Sequence, residues 1–152
     1  MIRKAVVTDI EPILVIWKNI RKIDDCLAIP YRSDLLKNIQ ENRFYVEEQE
    51  GSVIGFCGFK IMKRKKIIKI INLSVKPEFR GKHIATRLVE YVFEITKELG
   101  LPYFVECKKG AENNTFWAKY GKLVGVKKCK TMDVLLIKLS YDKVKKGIGE
   151  KR

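Results

Sequence analysis

A chain of 152 residues and 17.7 kDa has the size of one ordinary domain, large enough to bury roughly two thirds of its unfolded surface. With 46% hydrophobic and 33% charged residues, and only 10 Gly and 4 Pro, the composition excludes disordered, collagen-like and mucin-like chains. The formal charge of +14 is uneven: residues 1–62 hold nine Lys+Arg against nine Asp+Glu, residues 63–107 ten against five, and residues 108–152 thirteen against four. The whole excess therefore lies after residue 62, which implies a local positive field and an anionic ligand in that half, with plain solvation of exposed faces as the alternative.

The longest apolar runs, such as Val134 to Ile137, fall far short of the roughly 20 residues of a membrane span. No apolar h-region follows Arg3 and Lys4. A soluble, cytoplasmic protein without a membrane partner is expected. Cys26, Cys57, Cys107 and Cys129 show neither C-x-x-C spacing nor a zinc-ligand pairing with the single histidine, His83. They read as reduced structural thiols, and no metal is expected.

Ile2 to Val7 reads as a short strand, and Thr8-Asp9-Ile10-Glu11 as a capping box opening a helix through about residue 23, with Ile13, Leu14, Trp17, Ile20 and Ile23 on its buried stripe. Ser33 is a candidate cap for a second helix to Gln40, with Leu35, Leu36 and Ile39 inside. Phe44 to Glu48 and Ser52 to Ile61, joined by Glu50-Gly51, predict a hairpin, and the basic turn Lys63-Arg64-Lys65-Lys66 leads into a strand over Ile67 to Val75. After Pro77 to Lys82, Ile84 to Leu99 resumes helical period with Ile84, Leu88, Tyr91, Val92, Ile95 and Leu99 on one face, and Gly100 and Pro102 stop it. Tyr103 to Cys107 predicts a strand, Glu112 to Tyr120 a helix, and Lys122 to Lys128 and Met132 to Ser140 two strands. The order defines one α+β domain over 1–140, a mixed sheet of seven strands with helices on both faces, followed by a basic tail over 141–152.

The stretch Leu73-Ser74-Val75-Lys76-Pro77-Glu78-Phe79-Arg80-Gly81-Lys82-His83-Ile84-Ala85-Thr86-Arg87-Leu88 carries the chemistry. A strand runs through a loop with cations and a Gly into a helix whose first amides have no internal acceptor, and those amides and the helix dipole favour a phosphate or pyrophosphate. The loops G-x-G-x-x-G and G-x-x-x-x-G-K-[ST] are both absent.

These residues resemble the GCN5-related N-acetyltransferases (GNAT), whose signature R/Q-x-x-G-x-G/A is matched here by Arg80 and Ala85 and flanked by Val75, Pro77, Phe79, Gly81, Lys82 and Leu88. The resemblance implies a mostly antiparallel sheet splayed between its fourth and fifth strands. It further implies an acetyl-CoA-dependent acyltransferase that acetylates a primary amine by direct attack. On the same ground, Leu73, Ser74 and Val75 would border the pantetheine arm, and Arg80, Gly81, Lys82, His83, Ile84, Ala85 and Thr86 the pyrophosphate.

The chain departs from the family pattern at three places. His83 stands where the family has its central Gly, either facing solvent or touching a phosphate. In Phe116-Trp117-Ala118-Lys119-Tyr120-Gly121-Lys122, Trp117 replaces the tyrosine that protonates the thiolate, so Trp117 packs along the pantetheine or fills the core, and Tyr120 is the candidate acid. Asn113 or Asn114 is the expected contact to the coenzyme arm, the register leaving both open. No carboxylate lies on Ile67 to Val75, so Glu106 on the next strand is the candidate base, with a solvent-facing or ion-paired glutamate as the alternative and Glu47 and Glu48 as weaker candidates. The acceptor is an amine on a small molecule, peptide or protein, and the positive half allows an acidic partner or RNA. The other reading is a non-catalytic module binding acyl-CoA or nucleic acid on the same fold.

Overall fold

The computed structural model describes residues 1–23, 31–109, 114–129 and 133–140, and of residues 21–23, 108, 114 and 115 only the backbone. The chain runs β1 (Ile2–Lys4), α1 (Ile10–Ile23), α2 (Arg32–Gln40), β2 (Phe44–Gln49), β3 (Ser52–Met62), β4 (Ile67–Val75), α3 (Ile84–Thr96), β5 (Tyr103–Lys108), α4 (Asn114–Ala118), β6 (Gly121–Lys128) and β7 (Asp133–Leu139). Three short 3-10 turns, Val7–Asp9, Pro77–Phe79 and Lys97–Leu99, join them. The expected tail over 141–152 lies outside the described residues, as do Cys26 and Asn113.

The seven strands form one sheet in the order β1-β2-β3-β4-β5-β7-β6, antiparallel except for the β4–β5 pair. That pair is short: Ile68, Lys69 and Ile70 oppose Tyr103, Phe104 and Val105, after which the two strands part. β5 instead keeps its whole length against β7. The architecture is thus the α+β sheet expected from the sequence, with its splay between the fourth and fifth strands.

Alternation along the strands gives the sheet two covered faces. Ile68, Ile70, Tyr103, Val105, Ile137 and Leu139 pack with Leu88, Val92 and Phe93 of α3 and Trp117 of α4. On the opposite face Phe44, Val46 and Phe56 meet Ile13, Trp17 and Ile20 of α1 and Leu35 and Ile39 of α2, with the Trp17 and Phe56 rings stacked at 5.5 Å. α1 and α2 cover only the β2–β3 side, and no other described helix covers this second face over β5, β7 and β6.

Several local expectations are corrected. β1 ends at Lys4, and Thr8 lies within a 3-10 turn, so it does not cap α1. Asp9 holds the entry: it accepts from the Val6 amide at 2.7 Å and takes the Arg3 guanidinium on both oxygens at 2.8 and 3.0 Å. The Asp9 carboxylate, charge-assisted by the Arg3 donor from β1, replaces the Thr8 hydroxyl as the acceptor that organises this entry. Tyr31, not Ser33, occupies the α2 cap position, and it makes no side-chain cap bond.

In α3 the buried stripe adds Val89, Phe93 and Thr96, while Ile95 and Leu99 are 43% and 51% exposed. A polar Thr96 is tolerated inside because its hydroxyl lies 2.7 Å from the Val92 carbonyl and 2.6 Å from the Tyr103 hydroxyl. The helical part ends at Thr96, and Gly100, at φ 67, closes the last turn. Cys57 and Cys107 are buried, and desolvation pushes the Cys57 thiol up to about 12, whereas Cys129 is exposed and fills no core position.

Candidate functional site

Where β5 leaves β4, the last residues of β4 and the last residues of β5 no longer pair with each other, and the gap between them is the candidate cleft. β4 carries an irregularity at this point. Phe56 of β3 opposes Ser74 and Gly58 opposes Ile71, so two β3 steps match three on β4 and one extra residue is inserted around Asn72. Asn72 adopts φ 52, a left-handed conformation that asparagine tolerates better than the β-branched residues around it. Such a bulge leaves one residue outside the ladder and bends the strand. Sequence reasoning missed it, although a lone Asn inside Ile67–Val75 was a signal.

β4 ends at Val75, and the Lys76 amide is tied to the Ile54 carbonyl at 2.8 Å. The chain then turns through Pro77–Phe79, and the Arg80 Nε donates back to the Val75 carbonyl at 3.3 Å. Gly81 at φ 81 and His83 at φ 63 alternate with Lys82 to wind the loop into α3. This alternation aims successive N–H groups toward one concavity, the geometry of an anion nest. The amides of Gly81 through Thr86 donate to no backbone acceptor among the described residues; the first closed bond is from Arg87 to the His83 carbonyl at 3.0 Å. Arg87 also braces the loop, donating to the Lys82 carbonyl at 3.1 Å.

The helix start is seated firmly. Ile84 is buried against Gly55, where an added Cβ would stand 3.1 Å from the Ser74 carbonyl and 3.5 Å from Ile84 Cγ2. The tight contacts of such a Cβ are with the end of β4, the Ser74 carbonyl and Val75 Cγ2 at 3.2 Å, so a larger residue at position 55 would press on the strand end that Ile84 packs beside. Ala85 is partly buried, and His83, Arg80 and Lys82 are exposed. Six open amides, two exposed cations and a helix dipole fit a diphosphate.

The candidate proton-transfer groups lie on opposite faces of the sheet. Glu106 alternates with the buried Val105 and Cys107 and so faces the open side, where Lys69 Nζ meets its Oε1 at 2.9 Å. Its side chain is 37% exposed. Tyr120 is buried on the α3 side, with its hydroxyl 3.2 Å from that of Thr86. Thr86 belongs to the first turn of α3, so Tyr120 is hydrogen-bonded to the element that carries the nest. Trp117 is 2% exposed and packs edge-on to Phe116 in the core.

Among the described residues α4 runs Asn114–Ala118, ending two residues before the expected Tyr120; its expected start at Glu112 lies outside the described residues, and Asn114 is described by backbone alone. Glu47, on β2, is buried beside Arg87, which approaches Oε1 at 3.4 Å, and its Oε2 has no partner among the described residues. Glu48 pairs with Arg3 at 2.6 Å. Among the described residues, no cluster of three His, Cys, Asp or Glu is arranged to hold a metal ion.

A strand that releases its parallel neighbour and feeds an amide nest at a helix start is the architecture of the acetyltransferases. The Acetyltransferase (GNAT) family model matches residues 16–126, and the chain belongs to that family. It is 40% identical over 58 residues to a protein of Archaeoglobus fulgidus called an uncharacterized N-acetyltransferase, a match spanning 35% of this chain and 40% of that one. Its fold is similar to Ard1 from Thermoplasma volcanium, with TM-score 0.77, 17% identity, and 92% of this chain and 97% of that one covered. It is also similar to PaiA N-acetyltransferase from Thermoplasma acidophilum, solved in complex with coenzyme A, with TM-score 0.73, 19% identity, and 91% and 98% covered.

Proposed function

We propose that this protein is an N-acetyltransferase that moves an acetyl group from acetyl-CoA to a primary amine. The observation that carries this reading is the run of open amides from Gly81 to Thr86 at the end of a strand that has parted from its neighbour. The nest and Arg80 would hold the coenzyme diphosphate, and Leu73, Ser74 and Val75 would border its arm. The structure solved for PaiA with coenzyme A supports the same choice of donor.

Acetyl-CoA supplies a thioester that an amine can attack directly, leaving a free thiol, so none of the cysteines is required. The chain's own residues supply position and proton traffic. Glu106, on the open face and reachable by solvent, accepts the amine proton directly or through a water. Tyr120, held by Thr86, is the proton donor on the other side of the cleft. The bulge at Asn72 supplies an out-of-ladder backbone group toward the thioester carbonyl, where a fixed dipole stabilises developing negative charge. Asn113 or Asn114 would contact the coenzyme arm, and Trp117, buried in the core, would back that wall from behind.

Purified protein with acetyl-CoA and a panel of amines, peptides and aminoacyl-tRNA should release free thiol. In parallel, acetyl-CoA at about 100 times its dissociation constant should add about 2.7 kcal/mol of stability, and Arg80→Glu should remove that gain while ATP gives none. Stabilisation by coenzyme without thiol release from any amine would leave a binding module and refute the catalytic reading. No stabilisation would refute the site.

A further inference from the structure

Strand pairing assembles a charged row that is invisible in the linear sequence. Lys60 of β3 opposes Lys69 of β4, Lys69 opposes Phe104 of β5, Phe104 opposes Lys138 of β7, and Lys138 opposes Lys122 of β6. Directly paired residues share a face. Their neighbours Phe59, Ile61, Ile68, Ile70, Tyr103, Val105, Ile137 and Leu139 all point into the α3 core, so the row lies on the other face, beyond the cover of α1 and α2. At a strand spacing of about 4.8 Å the row spans about 19 Å. Lys60, Lys122 and Lys138 are exposed, and Phe104 is half-buried in the middle.

The row is not neutralised. On this face of β3 through β7 the only carboxylate among the described residues is Glu106, which Lys69 engages. No ion pair reaches Lys60, Lys122 or Lys138 among those residues. The β3–β4 turn, Lys63-Arg64-Lys65-Lys66, is exposed and begins three residues past Lys60. Like charges set directly opposite each other in a sheet destabilise it, and here that happens twice, at Lys60–Lys69 and at Lys122–Lys138. A fold that keeps such a cost usually does so at a binding site.

We infer that this lysine row, with Phe104 in its centre and the basic turn at its end, is a docking surface for single-stranded nucleic acid. Seven of its eight cations are lysines, compact point charges on flexible stems that can follow a phosphate backbone without fixing one planar geometry. An aromatic ring among cations is the pattern on which an unpaired base stacks while the backbone follows the charge. The surface lies toward the N-terminal end of β4, away from the loop that follows Val75, so it is separate from the proposed diphosphate nest and does not depend on turnover.

The test is fluorescence anisotropy of the full-length protein with a labelled oligouridine of roughly 12 nucleotides, within the site sizes of single-strand binders. Contacts to about four phosphates give a log–log salt slope near −2.8, at about 0.7 per contact. The double reversal Lys122→Glu with Lys138→Glu should weaken binding at least about tenfold at low salt and bring the slope to about −1.4. The reversal Lys18→Glu with Lys37→Glu, on the exposed sides of α1 and α2, makes the same change in net charge and should leave affinity within about twofold. Phe104→Leu should weaken binding with the slope unchanged. Circular-dichroism melts of each variant serve as the folding control. Absence of binding at low salt, equal loss in both double reversals, or displacement by polyglutamate of matched charge as readily as by unlabelled oligouridine would each overturn the assignment, the last pointing to an acidic protein instead.

Discussion

The Thr86 and Tyr120 hydroxyls lie 3.2 Å apart, both in buried residues, and join the first turn of α3 to the chain entering β6. Each oxygen retains further hydrogen-bonding capacity, so the pair can tie the elements together and still present a proton to the cleft. Tyr120→Phe should lower kcat about 100-fold, the usual scale for loss of a general acid, with stability reduced by about 1 kcal/mol because the Thr86 hydroxyl loses its partner. Thr86→Val keeps the phenol and should cost less than about tenfold in kcat. Steady-state thiol release and thermal melts on both variants separate the roles: equal losses of stability with unchanged kcat would make the pair purely structural.

Glu106 reaches Lys69 at 2.9 Å on the open face. As acceptor of the amine proton it should be replaceable by no neutral isostere, and Glu106→Gln should lower kcat about 100-fold with coenzyme-induced stabilisation intact. Rapid-quench turnover beside a coenzyme melt checks both halves. Retention of full rate would move the base elsewhere, to bulk water or to Glu47.

His83 enters α3 at φ 63, where a residue with a Cβ is strained by about 1 kcal/mol. His83→Gly should therefore stabilise the apo protein by about that amount, seen as a melting temperature higher by a few degrees. Gly81→Ala should act in the opposite sense: nothing stands within 4 Å of an added Cβ, so its effect is the backbone cost of φ 81 alone. Two shifts of the same sign would show that the loop relaxes to another conformation.

Asp9 is buried, which by itself raises its carboxyl, but the Arg3 guanidinium and the Val6 amide outweigh burial and hold it below the ordinary value. A depressed folded-state value stabilises the fold above the unfolded value of about 3.9 and ceases to do so as the pH falls through that region and below. Asp9→Asn should accordingly cost clearly more stability at pH 7 than in strong acid. Urea titrations at several pH values test this, and a penalty independent of pH would show that hydrogen bonding, not charge, is what Asp9 contributes.

Much of the proposed coenzyme side was legible in the linear chain. Ile67–Val75 and the start of α3 at Ile84 fall where the pattern placed them, since a strand, a proline-led turn and a helix start are each decided by residues within a few positions. The cap of α1 was misread because its donors and acceptors include Arg3 from a neighbouring strand. The exposure of Ile95 and Leu99 was missed because two overlapping apolar stripes compete on α3, and only the sheet beneath selects one.

The sequence alone therefore determined the element order, the family resemblance and the amide-rich loop, all consequences of short-range backbone and side-chain preferences. The tertiary structure decided the Asn72 bulge, the Lys69–Glu106 pair, the Thr86–Tyr120 contact and the lysine row from Lys60 to Lys122. Each of these depends on strand register or on contacts between residues tens of positions apart, and a one-residue slip in pairing would turn every side chain in the row to the opposite face.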